Sequence, residues 1–387
     1  MTNLDSWIAL NREKVVALRR WLHRNPEIGF DEFNTAEYLS KILSEAGYEI
    51  ITNDSMKTGF YCDYNHGDNM LALRTDMDAL EIQENNPKID YQSGNPGVMH
   101  ACGHDVHMTI VAAVALYLKE TSYLNGRVRF IFQPAEEQAP GGALSMIEGG
   151  ALGGVSDIIG CHVFPKINAG KVAVKSGPIA ATVELIDIKL KGMGGHTSRP
   201  NESVDLVWAQ SQLVNSLEQS INHGIDQQEP VVLAFGKVEG GSAHNVLPSE
   251  INLSGTLRYL NPKIKDNLYK KIEESVSIVS KMTNAKISWE SMYACPGVIN
   301  DKNLTNLILS SANSAIGEEN VDILEISSMG GEDFAYYLEK VPGAYFRVGS
   351  YDGFVEDIHT SDFNVDEECI FTGIKVFASI VDNYFKS

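Results

Sequence analysis

At 387 residues the chain exceeds one small domain and suits two, with enough apolar sequence to bury a core in each. A formal charge of −20 argues against nucleic acid or an anionic membrane as partner, because both demand a basic surface. The five cysteines, at 62, 102, 161, 295 and 369, are odd in number and scattered, which fits reduced intracellular thiols rather than a disulfide framework.

The N-terminal stretch MTNLDSWIALNREKVVALRRWLH sets charged and apolar residues at helical spacing. It lacks the continuous apolar segment and small-residue cleavage site of a signal peptide, so a cytoplasmic location is the expectation. No apolar run is long enough to cross a bilayer. NTAEYLSKILSEAGYEI predicts a helix, with Asn34 as N-cap, Glu37 three residues on and Gly47 at the stop. The apolar runs MLALRTDMD, VRFIFQPAEE and DIIGCHVFP are bounded by turn residues and predict strands. Between the first two, DVHMTIVAAVALYLKE predicts a helix that is apolar on most faces and therefore buried. This alternation favours a mostly parallel sheet covered on both sides.

Near VKSGPIAATVEL the pattern changes. It predicts strand 183–191, helix 203–222, strands 231–239 and 250–260, helix 263–281 and strand 285–293. That β-α-β-β-α-β order is the split βαβ arrangement of a ferredoxin-like unit. After YACPGVIN the first pattern resumes, with helix 302–316, a helix start at GEDFAYYLEK, strand AYFRVG and a last helix from about 366. The expected fold is α/β: an open, mostly parallel sheet domain formed by 1–182 and 294–387, interrupted by a ferredoxin-like α+β domain at 183–293.

Chemistry-bearing residues gather where these strands end, the place where open α/β sheets bind ligands. VMHACGHDVH carries Cys102 and His104 just before the buried helix; taken alone, it also reads as a polar loop with Asp105 serving the helix N-terminus. FQPAEEQ offers the adjacent carboxylates Glu136 and Glu137, which alone read as a solvated acidic turn. GCHVFP places His162, DIHTSDF places His359, and LRTDMDAL places Asp76 and Asp78, either of which could orient a ligand histidine. A hydrolytic metal site needs one carboxylate to bind metal and another to take a proton from water. Cysteine, histidine and glutamate together suit zinc or a neighbouring divalent metal. There is no G-x-S-x-G elbow and no G-x-x-x-x-G-K-[ST] loop. Cys102 as a nucleophile would need a base that is not committed to a metal.

The segments RRWLHRNPEIGFDE, LRTDMDAL, MHACGHDVH, VRFIFQPAEEQAPGGALSMIEGGAL, GCHVFP, GMGGHTSRP, GGSAHNVLP and GGEDFAYYLEKVPGAYF span the chain. In that order they resemble the amidohydrolase branch of the aminoacylase/carboxypeptidase metallopeptidase clan. The branch holds hippurate hydrolases, N-acyl-amino-acid deacylases and auxin-conjugate hydrolases. The resemblance implies hydrolysis of N-acyl amino acids at a site of two divalent metal ions, with Zn, Mn, Co or Ni as candidates. It assigns Cys102, His104, Glu137, His162 and His359 as ligands, Glu136 as general base and Asp78 as the aspartate that orients the metal shell. It makes the inserted domain a homodimer interface and His196 a lid histidine that reaches the neighbouring subunit's site. Asn245 and Arg258 match positions that hold the substrate's carboxylate end. Thr75, Glu81 and Gly331 depart from the family's usual alanine, proline and serine, which bears on substrate preference. His100 and His107 are left to packing or to bracing other groups from behind the ligands. A dipeptidase or aminopeptidase on the same scaffold is the alternative; a non-catalytic binding protein is disfavoured because every ligand position is filled.

Overall fold

The computed structural model describes residues 4–64, 69–354 and 357–386. In chain order its main elements are α1 (Leu4–Arg24), α2 (Phe33–Glu45), β1 (Phe60–Tyr64), β2 (Met70–Asp76), α3 (His104–Thr121), β3 (Arg127–Gln133) and β4 (Asp157–Asn168). There follow β5 (Thr182–Lys191), α4 (Leu206–Gly224), β6 (Val231–Gly240), β7 (Glu250–Tyr259), α5 (Lys265–Thr283) and β8 (Lys286–Cys295). The chain closes with α6 (Lys302–Ile316), β9 (Gly343–Tyr351) and α7 (Glu368–Tyr384). Among the described residues no helix is long and apolar enough to cross a membrane.

Two compact units result. The first joins residues 1–179, 298–326 and 333–387; the second joins 180–297 and 327–332. The first unit holds an eight-stranded sheet whose centre, β3-β2-β4-β9, is parallel, with antiparallel pairings toward both edges. Such a parallel centre must be covered on both faces, and β2 is buried at every position, its polar end Arg74–Asp76 included. Helix α3 is buried over most of its surface and packs on β2 and against α1 and α7. Each fully buried leucine, isoleucine or phenylalanine of this core contributes roughly 1.5–3 kcal/mol.

Two local expectations change. Helix α2 has no side-chain cap of its own. Glu27 accepts instead from the backbone N–H groups of Asn34 (3.2 Å) and Thr35 (2.8 Å), so the cap is a carboxylate from the preceding loop and not Asn34. The GEDFAYYLEK segment forms only a short helix, Ala335–Leu338, since a proline at 342 disfavours helical geometry in the residue before it and β9 begins at Gly343.

The second unit is a four-stranded antiparallel sheet in the order β6-β7-β5-β8, with α4 and α5 on one face around a core that includes Leu213, Leu217, Leu253 and Ile272. This order, with β5 and β7 central, is the ferredoxin-like arrangement expected from β-α-β-β-α-β. A separate two-stranded ribbon pairs Gly195–His196 with Val246–Leu247.

Candidate metal centre

The cluster is built at the carboxyl ends of the parallel strands. Register places Asp76 of β2 level with Gln133 of β3. His162 lies two residues past Gly160, where β4 leaves β2. β4 itself runs on to Asn168 beside β9, so His162 stands at the edge of the β2 pairing and not at a strand terminus.

The loop before α3 turns at Gly103, whose φ of +84° is left-handed. A β-carbon there would sit 2.5 Å from Val163 Cγ2, so only glycine fits. Its neighbours Cys102 and His104 are both buried. Asp105 does not cap the helix. Its carboxylate lies 2.8 Å from both Arg19 Nε and His23 Nδ1 of α1.

Each ring is aimed by its second nitrogen. His104 Nδ1 donates to the Asp78 carbonyl at 2.8 Å and His162 Nδ1 to the Val163 carbonyl at 2.7 Å, which turns both Nε2 atoms toward the cluster. Cys102 Sγ lies 3.3 Å from His162 Nε2 and 3.3 Å from His359 Nε2. Glu137 Oε1 lies 3.2 Å from His359 Nε2 and 3.9 Å from His104 Nε2. His359 is itself left-handed (φ 62°), and its N–H donates to the Ala101 carbonyl at 2.8 Å. Donor atoms fall into sets within 4.8 Å: Cys102 with His104 and His162, Cys102 with Glu137 and His359, and His104 with Glu136 and Glu137. The thiol is common to the first two sets. His107 also lies near, but its Nδ1 is bonded to Asp76 Oδ1 (2.7 Å) and its Nε2 accepts the Val163 N–H (2.9 Å). With both nitrogens engaged it serves as a brace.

The electrostatics of the cluster call for a cation. Burial works against charge on His104, yet Asp76, Asp78 and Glu137 outweigh it and lift the imidazole to about 10. Burial, then Arg347 and the neighbouring histidines, holds His162 well below its ordinary value, so it is neutral. Burial and the Glu137 and Glu136 carboxylates push the Cys102 thiol well up, which removes it as a free nucleophile; a bound cation would reverse that shift. His104 Nε2 and Glu137 Oε1 are buried without a hydrogen-bond partner, a costly condition that a divalent ion relieves. The residues therefore fit a metal.

The carboxylate turn is held with equal care. Asp78 accepts the Glu136 N–H on Oδ1 and the Glu137 N–H on Oδ2, both at 2.9 Å. Ala135, one residue earlier, has a φ of 48°, a conformation costing roughly 1–2 kcal/mol in a residue with a β-carbon. Below the cluster, Arg74 donates to Gln133 (2.8 Å), Asp76 (2.7 Å) and Asp333 (2.8 Å), and this network fixes Asp76. Sequence reading passed over Arg74, Asp333 and Glu32, although each lies inside a motif quoted above.

The remaining expected residues lie in the second unit. His196 and Asn245 share the ribbon, where the Thr197 N–H donates to the Asn245 carbonyl. His196 is exposed, and its Nδ1 accepts from the Ser198 N–H (3.1 Å). Its proton therefore sits on Nε2. Arg258 lies near the far end of β7 and donates to the Met329 carbonyl at 2.9 Å. The ribbon adjoins the start of β7, about 25 Å away along the strand, so these three do not form one constellation within the chain. At Gly331, a β-carbon would lie 2.9 Å from Cys295 Sγ and 2.9 Å from Val183 Cγ2; the family's serine would need both to shift.

The sequence pattern of peptidase family M20/M25/M40 matches residues 72–383. The chain is 38% identical over 383 residues to a Synechocystis protein named as a probable hydrolase, covering 97% of this chain and 96% of that one. It is 34% identical over 366 residues to the N-acetyl-L-cysteine deacetylase of Bacillus subtilis, covering 92% and 85%. Among solved structures it matches, with a TM-score of 0.85 and 30% identity over 98% of this chain and 99% of that one, a Bacillus subtilis protein described as a dinuclear metal binding peptidase from the M20 family.

Proposed function

Since the chain belongs to peptidase family M20/M25/M40, and is thus a metal-dependent hydrolase, we propose that it cleaves the amide bond of N-acyl amino acids, N-acetyl or hippurate-like. The observation that carries this reading is the pair of buried polar atoms without a hydrogen-bond partner, His104 Nε2 and Glu137 Oε1. Beside them on the same turn, Glu136 brings a carboxylate oxygen within 4.8 Å of both side chains. A relative that deacetylates N-acetyl-L-cysteine supports the substrate class.

Cys102, His104 and His162 would hold one divalent ion, and Cys102, Glu137 and His359 a second, with the thiolate shared. The mixed sulfur, nitrogen and oxygen set suits Zn, Co or Ni and tolerates Mn. When bound, the ions supply Lewis acidity that makes water more acidic and an amide carbonyl more electrophilic. Glu136 takes the proton of the attacking water and returns it to the leaving nitrogen. Asp78 holds both glutamates through their backbone N–H groups and orients His104 through its carbonyl. His196 offers its Nε2–H to the carbonyl oxygen on which charge develops. Asn245 and Arg258 hold the substrate carboxylate.

The separation of Arg258 from the ribbon fits a shared site, with Arg258 acting in its own subunit and His196 and Asn245 in the neighbouring one. A homodimer through the inserted domain supplies that arrangement. Strand β6 is an edge with the exposed apolar residues Val232 and Val238, a feature that pairs readily with a second copy.

The test is a panel of N-acyl amino acids and dipeptides, assayed after metal removal and separate restoration of Zn, Mn, Co and Ni. N-acyl substrates should be hydrolysed, with chelation abolishing the rate. Glu136→Gln should lower kcat by about 10²–10⁴-fold at unchanged metal content. Preference for dipeptides with free amino groups would move the assignment to the dipeptidase or aminopeptidase reading, which the solved peptidase relative also supports.

A further inference from the structure

Three consecutive backbone N–H groups at the PAEE turn each point at a carboxylate from elsewhere in the chain. Those of Glu136 and Glu137 go to Asp78, as described. That of Ala135 goes to Glu32 Oε1 at 2.8 Å. Glu32 is fully buried, and its other oxygen accepts the Thr58 hydroxyl. The carboxyl stands directly before α2 yet makes no cap bond to that helix, since Glu27 performs that task. Helix capping therefore does not account for its burial. A second contact joins the same two segments: Gln138 Nε2 donates to the Gly29 carbonyl at 3.1 Å. On the far side, the Gly142 N–H donates to the Ala135 carbonyl at 2.9 Å.

We propose that Glu32 is a positioning residue for hydrolysis, whose acceptance of the Ala135 N–H locks the left-handed turn that sends Glu136 and Glu137 to different tasks. Adjacent residues share one peptide plane, so the backbone angle at Ala135 sets the direction of both following N–H groups. If Ala135 relaxes to the right-handed region, those groups rotate away from Asp78. Glu137 then leaves His104 and His359, and Glu136 loses its place beside them. Glu32 acts without touching substrate or metal. Burial, opposed by the Thr58 hydrogen bond and reinforced by the Asp78 charge, raises its carboxyl to about 7. The anchor requires an acceptor oxygen and no net charge.

This inference rests on the assignment of Glu136 and Glu137 made above. Its test uses the metal-loaded enzyme and four variants: Glu32→Gln, Glu32→Met, Glu32→Asp, and Glu32→Met combined with Ala135→Gly. Turnover of N-acetyl amino acids is measured beside metal stoichiometry and the visible spectrum of the cobalt-substituted protein. The Gln variant retains the acceptor and should stay within about threefold of wild type. The Met variant should bind the same metal, show altered cobalt bands, and lose on the order of 10–100-fold in kcat with little change in KM. The Asp variant, one methylene too short, should behave alike and serves should the Met variant not fold. Glycine at 135 adopts the turn without an anchor, so the double variant should recover most of the lost kcat. Wild-type kcat and cobalt spectrum in folded Met or Asp variants would overturn the proposal. Should the wild type turn over no N-acyl substrate, the functional reading fails instead, and the cobalt spectra still decide the role of Glu32.

Discussion

Gly103 carries the tightest single-residue constraint of the metal loop. Its left-handed φ of +84° and the 2.5 Å approach to Val163 add up in Gly103→Ala, because the β-branched valine cannot rotate away freely. The substitution should cost about 2–5 kcal/mol, read from urea denaturation of the metal-stripped protein. Val163→Ala in that background should recover the clash but not the backbone strain, so rescue stays partial. Stability equal to wild type in Gly103→Ala would show that the loop is looser than its contacts indicate. The structure brings Cys102, His104, Glu136, Glu137, His162 and His359 together, and their donor chemistry was legible in the sequence because it resides in residue type. Their aiming was not, since His104 and His162 are oriented by the carbonyls of Asp78 and Val163, and a carbonyl leaves no mark in a sequence. Asp105 misleads for a related reason. A carboxylate in a first helical turn resembles a cap, and only the arrival of α1 from eighty residues upstream reveals its true partners.

Between elements, the α1–α3 contact is an ionic clamp as well as an apolar one. Both ring nitrogens of His23 face carboxylates, Nδ1 at 2.8 Å from Asp105 and Nε2 at 3.1 Å from Glu84. Both must donate for the two bonds to be satisfied, so the imidazole is cationic in the complete clamp. Burial and the Arg19 charge oppose protonation, but the bonds to Asp105 and Glu84 outweigh them and hold His23 above its ordinary value. A pKa raised on folding stabilises the folded state fully below the unfolded value, about 6.5, and loses that contribution as pH rises through the folded value. The stability advantage of wild type over His23→Leu should therefore be largest near pH 6 and shrink toward pH 9, followed by urea melts at each pH. An advantage that stays constant across the range would mean that packing alone joins the two helices. Elements whose boundaries rest on local signals were legible: α6 begins behind Asp301, whose carboxylate accepts from the Asn303 and Leu304 N–H groups. Caps and end contacts supplied by other segments were not. Helix α2 borrows its cap from Glu27, and the GEDF carboxylate of Asp333 is drawn off to Arg74, Gln133 and the Ala143 N–H.

At the scale of the molecule, the element order β-α-β-β-α-β marked the ferredoxin-like pattern, because that order of elements is itself written along the chain. Strand order in the eight-stranded sheet has no such local signature. It places β9, from the end of the chain, beside β4 and so brings the His359 loop to Cys102. The second unit raises the question of subunits in its most testable form. His196 and Asn245 are exposed together on one ribbon, whereas Arg258 lies at the other end of β7. If the ribbon serves a neighbouring copy, His196→Ala and Glu136→Gln are each inactive alone but complementary when mixed. A heterodimer then contains one site with an intact Glu136 and an intact His196 from the partner. Random subunit exchange at equal amounts makes half the dimers hybrid, so activity should return to about a quarter of wild type under two-fold symmetry. His196→Ala should keep its metal, because the histidine holds no ligand position. Absence of rescue after exchange has been verified by mass would require His196 to act within its own subunit, and the edge strand β6 would then need another explanation.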